Sequence, residues 1–269
     1  MKLYIQLRNF VLDILFPIKC IGCGVEFENL EARERWICEK CLEKIQIREK
    51  QVCPFCEKES DNGKTHHKCQ EKTFLSGVWV ASEYSDDVIS KAIHKLKFNF
   101  IKDLSFPISK VVIKSVLNVD EFSDFHDLIL SELSQNSREE KIYSDDKQNE
   151  IVETIFIPVP LHKKRYNWRG FNQAFLLSKH IAKEFHLKVY EDLLIRRKNT
   201  KSQTKIKSMR QRRENIKGAF FIVESNILEN KNVIIVDDVC TTSATLNECA
   251  KELKNAGVKN VWGLVVARR

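Results

Sequence analysis

Seven of the nine cysteines in this 269-residue chain fall between Cys20 and Cys69, and they come in pairs. Cys20 with Cys23, Cys38 with Cys41 and Cys53 with Cys56 are three C-x-x-C pairs, and His66 with Cys69 completes the series as H-x-x-C. Two intervening residues form a tight knuckle that aims both side chains at one ion. Four pairs therefore supply eight ligands, enough for about two closed, tetrahedral zinc sites. A segment this short buries little apolar surface, so the zinc is expected to hold the lobe together. Sequential pairing sets Cys20, Cys23, Cys38 and Cys41 on one ion and Cys53, Cys56, Cys69 with His66 or His67 on the other. A crossed arrangement also satisfies the spacing, and His66 is preferred because it keeps two residues before Cys69. With no open coordination position, neither ion is expected to be a catalyst.

An N-terminus that does not read as a secretory signal points to the cytoplasm, where thiols stay reduced and at this spacing are expected as metal ligands rather than disulfides. Tyr4, Leu7, Val11, Ile14 and Leu15 fall at the spacing of a short amphipathic helix. No apolar run reaches the roughly 18 residues of a membrane helix, so no stable membrane insertion is expected. The formal charge is +8, from 45 Lys and Arg against 37 Asp and Glu, but it is unevenly placed. Residues 161–218 carry 17 basic and 4 acidic side chains, net +13, whereas residues 120–150 carry 10 acidic and 3 basic, net −7. The acidic stretch reads as a helix end followed by a mobile or disordered insertion.

Beyond Thr73 the cysteine pattern gives way to apolar runs of strand and helix length. Strands are expected at Gly77 to Tyr84, Ile155 to Val159, Val233 to Val236 and Val261 to Val266, and a strand or strand–helix junction at Val189 to Ile195. Helices are expected at Val88 to Phe98, Phe171 to Phe185 and Thr245 to Ala256. Such alternation predicts an α/β fold with a parallel sheet between helices. Residues 1–72 are expected to form the helix and zinc lobe, and residues 73–269 the larger domain, interrupted by the acidic insertion near 119–153.

The run from Val233 to Thr245 reads VIIVDDVCTTSAT. Four β-branched residues make a buried strand, and two carboxylates follow at its C-terminal end, where open α/β sheets bind ligands. Buried aspartates need partners, which sugar hydroxyls and a divalent cation would supply. Thr241 to Thr245 then turns into a helix whose N-terminal amides and hydroxyls make a cradle for a monophosphate.

This D-D-x-x-T-T-x-x-T run resembles the phosphoribosyl-pyrophosphate motif of type I phosphoribosyltransferases. The resemblance implies that Asp237 and Asp238 contact the ribose hydroxyls and that Thr241, Thr242, Ser243, Ala244 and Thr245 hold the 5′-phosphate, with magnesium accompanying the ligand. Ser243 stands where that family usually has Gly. The segment IPVPLHKKRYNWRGFNQ from Ile157 to Gln173, together with NTKSQ from Asn199 and RQRRENIKGAF from Arg210, resembles the ComF family of competence proteins. So do the double zinc lobe and the stretch from Tyr84 to Phe98. The likeness covers almost the whole chain except the acidic insertion. It implies a type I phosphoribosyltransferase-like parallel sheet behind a small N-terminal zinc lobe, and a part in natural transformation, where incoming single-stranded DNA is handled in the cytoplasm.

In that fold the loop after the first core strand, by position Leu161 to Asn172, binds pyrophosphate. A longer flexible loop, roughly Arg196 to Lys217, closes over the site. Lys163, Lys164, Arg165 and Arg169 are the candidate cations for pyrophosphate or DNA, since a diphosphate takes several cations and bidentate forks. Tyr166, Trp168 and Phe171 lie among them as stacking platforms for single-stranded bases would. Cys240 reads as a packing residue, and no catalytic residue is assigned. Three functions fit: an adaptor that binds phosphoribosyl pyrophosphate and single-stranded DNA, bridging a competence helicase and recombination proteins; a phosphoribosyltransferase with an unidentified acceptor; and a phosphoribosyl-pyrophosphate-sensing regulator.

Overall fold

The computed structural model describes residues 17–27, 36–118, 123–136, 152–200 and 208–269. The expected N-terminal helix, residues 119–122 and 137–151 of the acidic insertion and residues 201–207 of the expected closing loop lie outside the described residues.

The chain folds as the sequence predicts, into a mostly parallel sheet with helices and an N-terminal cysteine-rich lobe. Its strands are β1 (Gly77–Glu83), β2 (Thr154–Pro158), β3 (Lys188–Val189), β4 (Leu194–Arg196), β5 (Phe220–Ile222), β6 (Asn232–Cys240) and β7 (Asn260–Arg268). Five of them form one parallel sheet in the order β1-β7-β6-β2-β3, and β4 pairs antiparallel with β5 in a small separate ribbon. The helices are α1 (Glu39–Glu43) in the cysteine-rich lobe, α2 (Asp87–Phe98), α3 (Ser105–Leu117), α4 (Asp124–Asn136), α5 (Lys163–Arg169), α6 (Gln173–Phe185), α7 (Met209–Ile216) and α8 (Ala244–Asn255).

Strand alternation sends successive side chains to opposite faces, which explains why central strands of a doubly covered sheet are apolar throughout. Ile234, Val236, Trp262 and Leu264 join α2, α3, α4 and α6 in one core, while Val233, Ile235, Val261 and Val265 join α8 in the other. Helix starts follow local chemistry. Asp86 caps α2 by accepting from the amides of Val88 and Ile89, and Asn172 caps α6 by accepting from Ala174.

The zinc lobe covers the free edge of β1. Arg48 N–H donates to Ala81 O at 2.9 Å, and the buried Gln51 side chain accepts from Val80 N–H at 3.0 Å and donates to Val80 O at 2.9 Å. A side-chain amide thus completes the ladder that an exposed edge strand would leave open. Arg268 Nη2 to Glu57 Oε1, at 2.7 Å, ties β7 to the same lobe.

Three elements depart from the sequence expectation. Residues 124–136, read as a helix end before the acidic insertion, form the whole of α4, with Phe125, His126 and Ile129 buried in the core. The region Val189 to Ile195, read as a strand or strand–helix junction, holds two short strands with a break between them. Most of the expected pyrophosphate loop is helical, because His162 accepts from Lys164 N–H as an N-cap and Gly170, at φ 79°, ends α5 in a left-handed turn.

Candidate functional site

The eight expected zinc ligands gather in two groups, each with its ligand atoms within 4.8 Å of one another: Cys20, Cys23, Cys38 and Cys41, and Cys53, Cys56, His66 and Cys69. The folded chain thus brings the pairs together sequentially rather than crosswise, with His66 rather than His67. Four thiols, or three and an imidazole, at these separations are the donor set of structural zinc. Burial and the neighbouring thiols push Cys41 up to about 12, a cost that a cation in the cluster removes. The two clusters suit about two structural zinc ions.

The second site is built on β6. The strand runs past the apolar quartet to Cys240 because β7 continues beside it, pairing Asp237 with Val265 and Val239 with Ala267. Asp237 and Asp238 therefore sit on strand backbone at the C-terminal end of the sheet, on opposite faces of β6. Ser243 begins α8 without a side-chain cap, at φ 52° and ψ 6°. The backbone there takes the left-handed shape that the usual Gly would adopt freely, and Ser carries the strain. It leaves the leading amides of α8 without intrahelical acceptors, the state in which a helix end binds an anion.

Both aspartates and the whole Thr241–Thr245 run line one cleft of about 550 Å³. Arg165, Arg169 and Arg196 line it too, from α5 and β4. Asp238 is 3% exposed; its Oδ1 meets Lys97 Nζ from α2 at 2.8 Å, and its Oδ2 is buried with no hydrogen-bond partner. Burial first, and the adjacent Asp238 second, raise Asp237 to about 7. Arg196 is brought down to about 10 by burial and then by Arg165, and burial lowers Arg165 and Arg169 as well. A guanidinium is not deprotonated in proteins, so all three present cations to the cleft. Arg165 Nη2 donates to Thr200 O at 2.9 Å, Arg196 reaches the Thr200 hydroxyl, and Arg169 reaches Gln173. The Nε atoms of Arg169 and Arg196 are buried without partners.

Of the four candidate cations, α5 aims only two into the cleft. Arg165 and Arg169 stand four residues apart and share a helix face, whereas Lys163 and Lys164 are exposed and do not line it. Among the candidate rings Trp168 lines the cleft, Tyr166 is exposed, and Phe171 is buried at 5% exposure, which removes it as a stacking platform. Lys97, Arg196 and Arg269 were not singled out from sequence. They enter the cleft from α2, β4 and the end of β7, and only tertiary packing brings them there.

A phosphoribosyl transferase domain model matches residues 172–269, and a double zinc ribbon domain model matches residues 11–70. Competence protein F of Haemophilus influenzae is 41% identical over 123 residues, covering 45% of this chain and 53% of that protein. Competence protein ComFC of Bacillus subtilis is 38% identical over 103 residues, covering 38% of this chain and 39% of that protein. DNA utilization protein YhgH of Escherichia coli is 26% identical over 234 residues, covering 85% of this chain and 89% of that protein. The matched segments thus span about half or less of the two competence proteins.

Proposed function

We propose, for a chain that pairs a ComF-type phosphoribosyltransferase-like domain with a double zinc ribbon, that it binds phosphoribosyl pyrophosphate and single-stranded DNA in the service of natural transformation. The observation that carries the reading is the single cleft in which two carboxylates, an uncapped helix start and three half-buried guanidiniums converge. In this reading Asp237 and Asp238 accept from the ribose hydroxyls, and Thr241 to Thr245 hold the 5′-phosphate. Arg165, Arg169 and Arg196 face the diphosphate, where planar forks suit its oxygens. The unpartnered Asp238 Oδ2 and the Asp237 carboxylate are hard oxygen donors that fit magnesium. When bound, magnesium neutralises diphosphate charge. Relatives named for competence and DNA utilization support a role with DNA.

Transfer to an acceptor is the second reading, favoured by the gathering of Arg165, Arg169 and Arg196 in one cleft, where they would stabilise a departing diphosphate. Two titrations separate the readings. Fluorescence anisotropy with labelled single-stranded oligonucleotides should show binding that weakens steeply with salt. A pyrophosphate-release screen across nucleobases and oligonucleotides should stay at background for an adaptor and rise for a transferase. Absence of oligonucleotide binding at low salt would refute the DNA role.

A further inference from the structure

Where the end of α2 meets α5, three large rings stand in solvent at the mouth of the cleft. Phe98, Phe100 and Trp168 are 51%, 40% and 57% exposed. Trp168 joins the other two: its ring centroid lies 5.0 Å from that of Phe100, edge to face, and 6.3 Å from that of Phe98. Phe98 in turn packs on His94 at 4.8 Å. Clustered exposed aromatics are costly in water and mark contact surfaces. Phe100 adds a second sign. It holds φ at 58°, a left-handed backbone that a bulky side chain adopts only under constraint, and this turn sets its ring against Trp168.

The surroundings decide what would cover the rings. Phe98 and Trp168 line the same cleft as Asp238 and the Thr241–Thr245 run. Lys163 and Lys164 stand exposed at the start of α5, the helix that carries Trp168, and Lys102 lies over the Phe171 ring at 5.3 Å. Flat π faces interleaved with cations that lie outside the phosphate cleft suit a chain of bases on a phosphate backbone. A free base would make no use of Lys163 and Lys164.

We infer that Phe98, Phe100 and Trp168 form a stacking platform for the bases of single-stranded DNA at the mouth of the phosphoribosyl cleft. This rests on the DNA half of the proposed function and adds its location. Two of its three rings come from α2 and the turn after it, ahead of the residues that carry the phosphate motif. DNA on the platform lies across the cleft mouth, so phosphoribosyl pyrophosphate and DNA should impede one another.

The test is anisotropy with a labelled oligodeoxythymidylate against wild type, the Phe98→Ala/Phe100→Ala double variant, Trp168→Ala and Trp168→Phe, all zinc-replete. Stacking loss should weaken binding about tenfold or more in both alanine variants, with Trp168→Phe largely restoring it. The salt slope should stay that of wild type, because no cation is removed. Circular dichroism and zinc content should match wild type in every variant, which excludes a misfolded chain. Wild-type DNA affinity in both alanine variants would overturn the platform while leaving DNA binding elsewhere intact. Displacement of the oligonucleotide by free adenine or guanine would overturn it in favour of an acceptor-base site. Failure of wild type to bind the oligonucleotide would overturn the platform and the DNA role together, with ligand binding in the cleft tested separately.

Discussion

The Lys97–Asp238 pair should respond to substitution as a buried unit. The two charges lie 2.8 Å apart with side chains 19% and 3% exposed. At that separation Coulomb attraction is about 6 kcal/mol for an effective dielectric constant of about 20. Desolvation of two ions costs several kcal/mol and offsets most of it, so the intact pair contributes little net stability. Either charge alone is a different matter. Lys97→Met leaves a carboxylate beneath the sheet end with one oxygen already unpartnered, and Asp238→Asn leaves an ammonium against a neutral amide. Each single variant should lose about 3 kcal/mol. The double variant should lose far less than the sum, giving a coupling of about 2 to 3 kcal/mol. Urea unfolding followed by circular dichroism, zinc-replete and near neutral pH, reads all four corners of the cycle. Losses that add to within about 0.5 kcal/mol would refute the pairing as an energetic unit.

Three other expectations follow from the same structure. Asp237 is raised to about 7 when folded, so between its ordinary carboxylate value and about 7 the folded chain holds a proton that the unfolded chain has lost. Its contribution to stability is therefore fully present at acid pH and lost as pH rises through about 7, and Asp237→Asn should flatten that stretch of a stability–pH profile. Gln51→Ala strips the partners from Val80 N–H and C=O, and should cost about 2 kcal/mol in denaturant unfolding and raise hydrogen exchange along β1. Metal analysis should find about two zinc ions per chain, and chelation should loosen the lobe and the β1 edge that it covers.

How far the sequence revealed the site depends on whether the needed contacts are local. Two-residue ligand spacing is local geometry, so the four pairs were legible, and the folded lobe chooses among pairings that spacing alone left open. The apolar quartet before Asp237 and Asp238 likewise announces a buried strand. Its extension to Cys240 was hidden, because a strand with two aspartates persists only where β7 supplies partners. The sequence shows α4 only as a helix end, because its composition hides how far it reaches into the core. Its acidic residues dominate the count, while Phe125, His126 and Ile129 are buried and Leu128 and Leu130 pack against the same core. Helix α3 gave no clear reading either, since Ser105, Ser109 and Ser115 interrupt its apolar residues yet are buried by returning their hydroxyls to the backbone three residues earlier. Lys163 and Lys164 were grouped with Arg165 and Arg169 by sequence proximity, and the helical turn of α5 separates them. Lys97 lies 141 positions from Asp238, so no local pattern could pair them.

The most direct test of the account is calorimetric titration of the zinc-replete protein with phosphoribosyl pyrophosphate and magnesium. One ligand should bind per chain, and the Asp237→Asn/Asp238→Asn double variant, if folded by circular dichroism, should give no measurable heat. Unchanged affinity in that folded variant, or no binding by wild type, would contradict the assignment of the cleft.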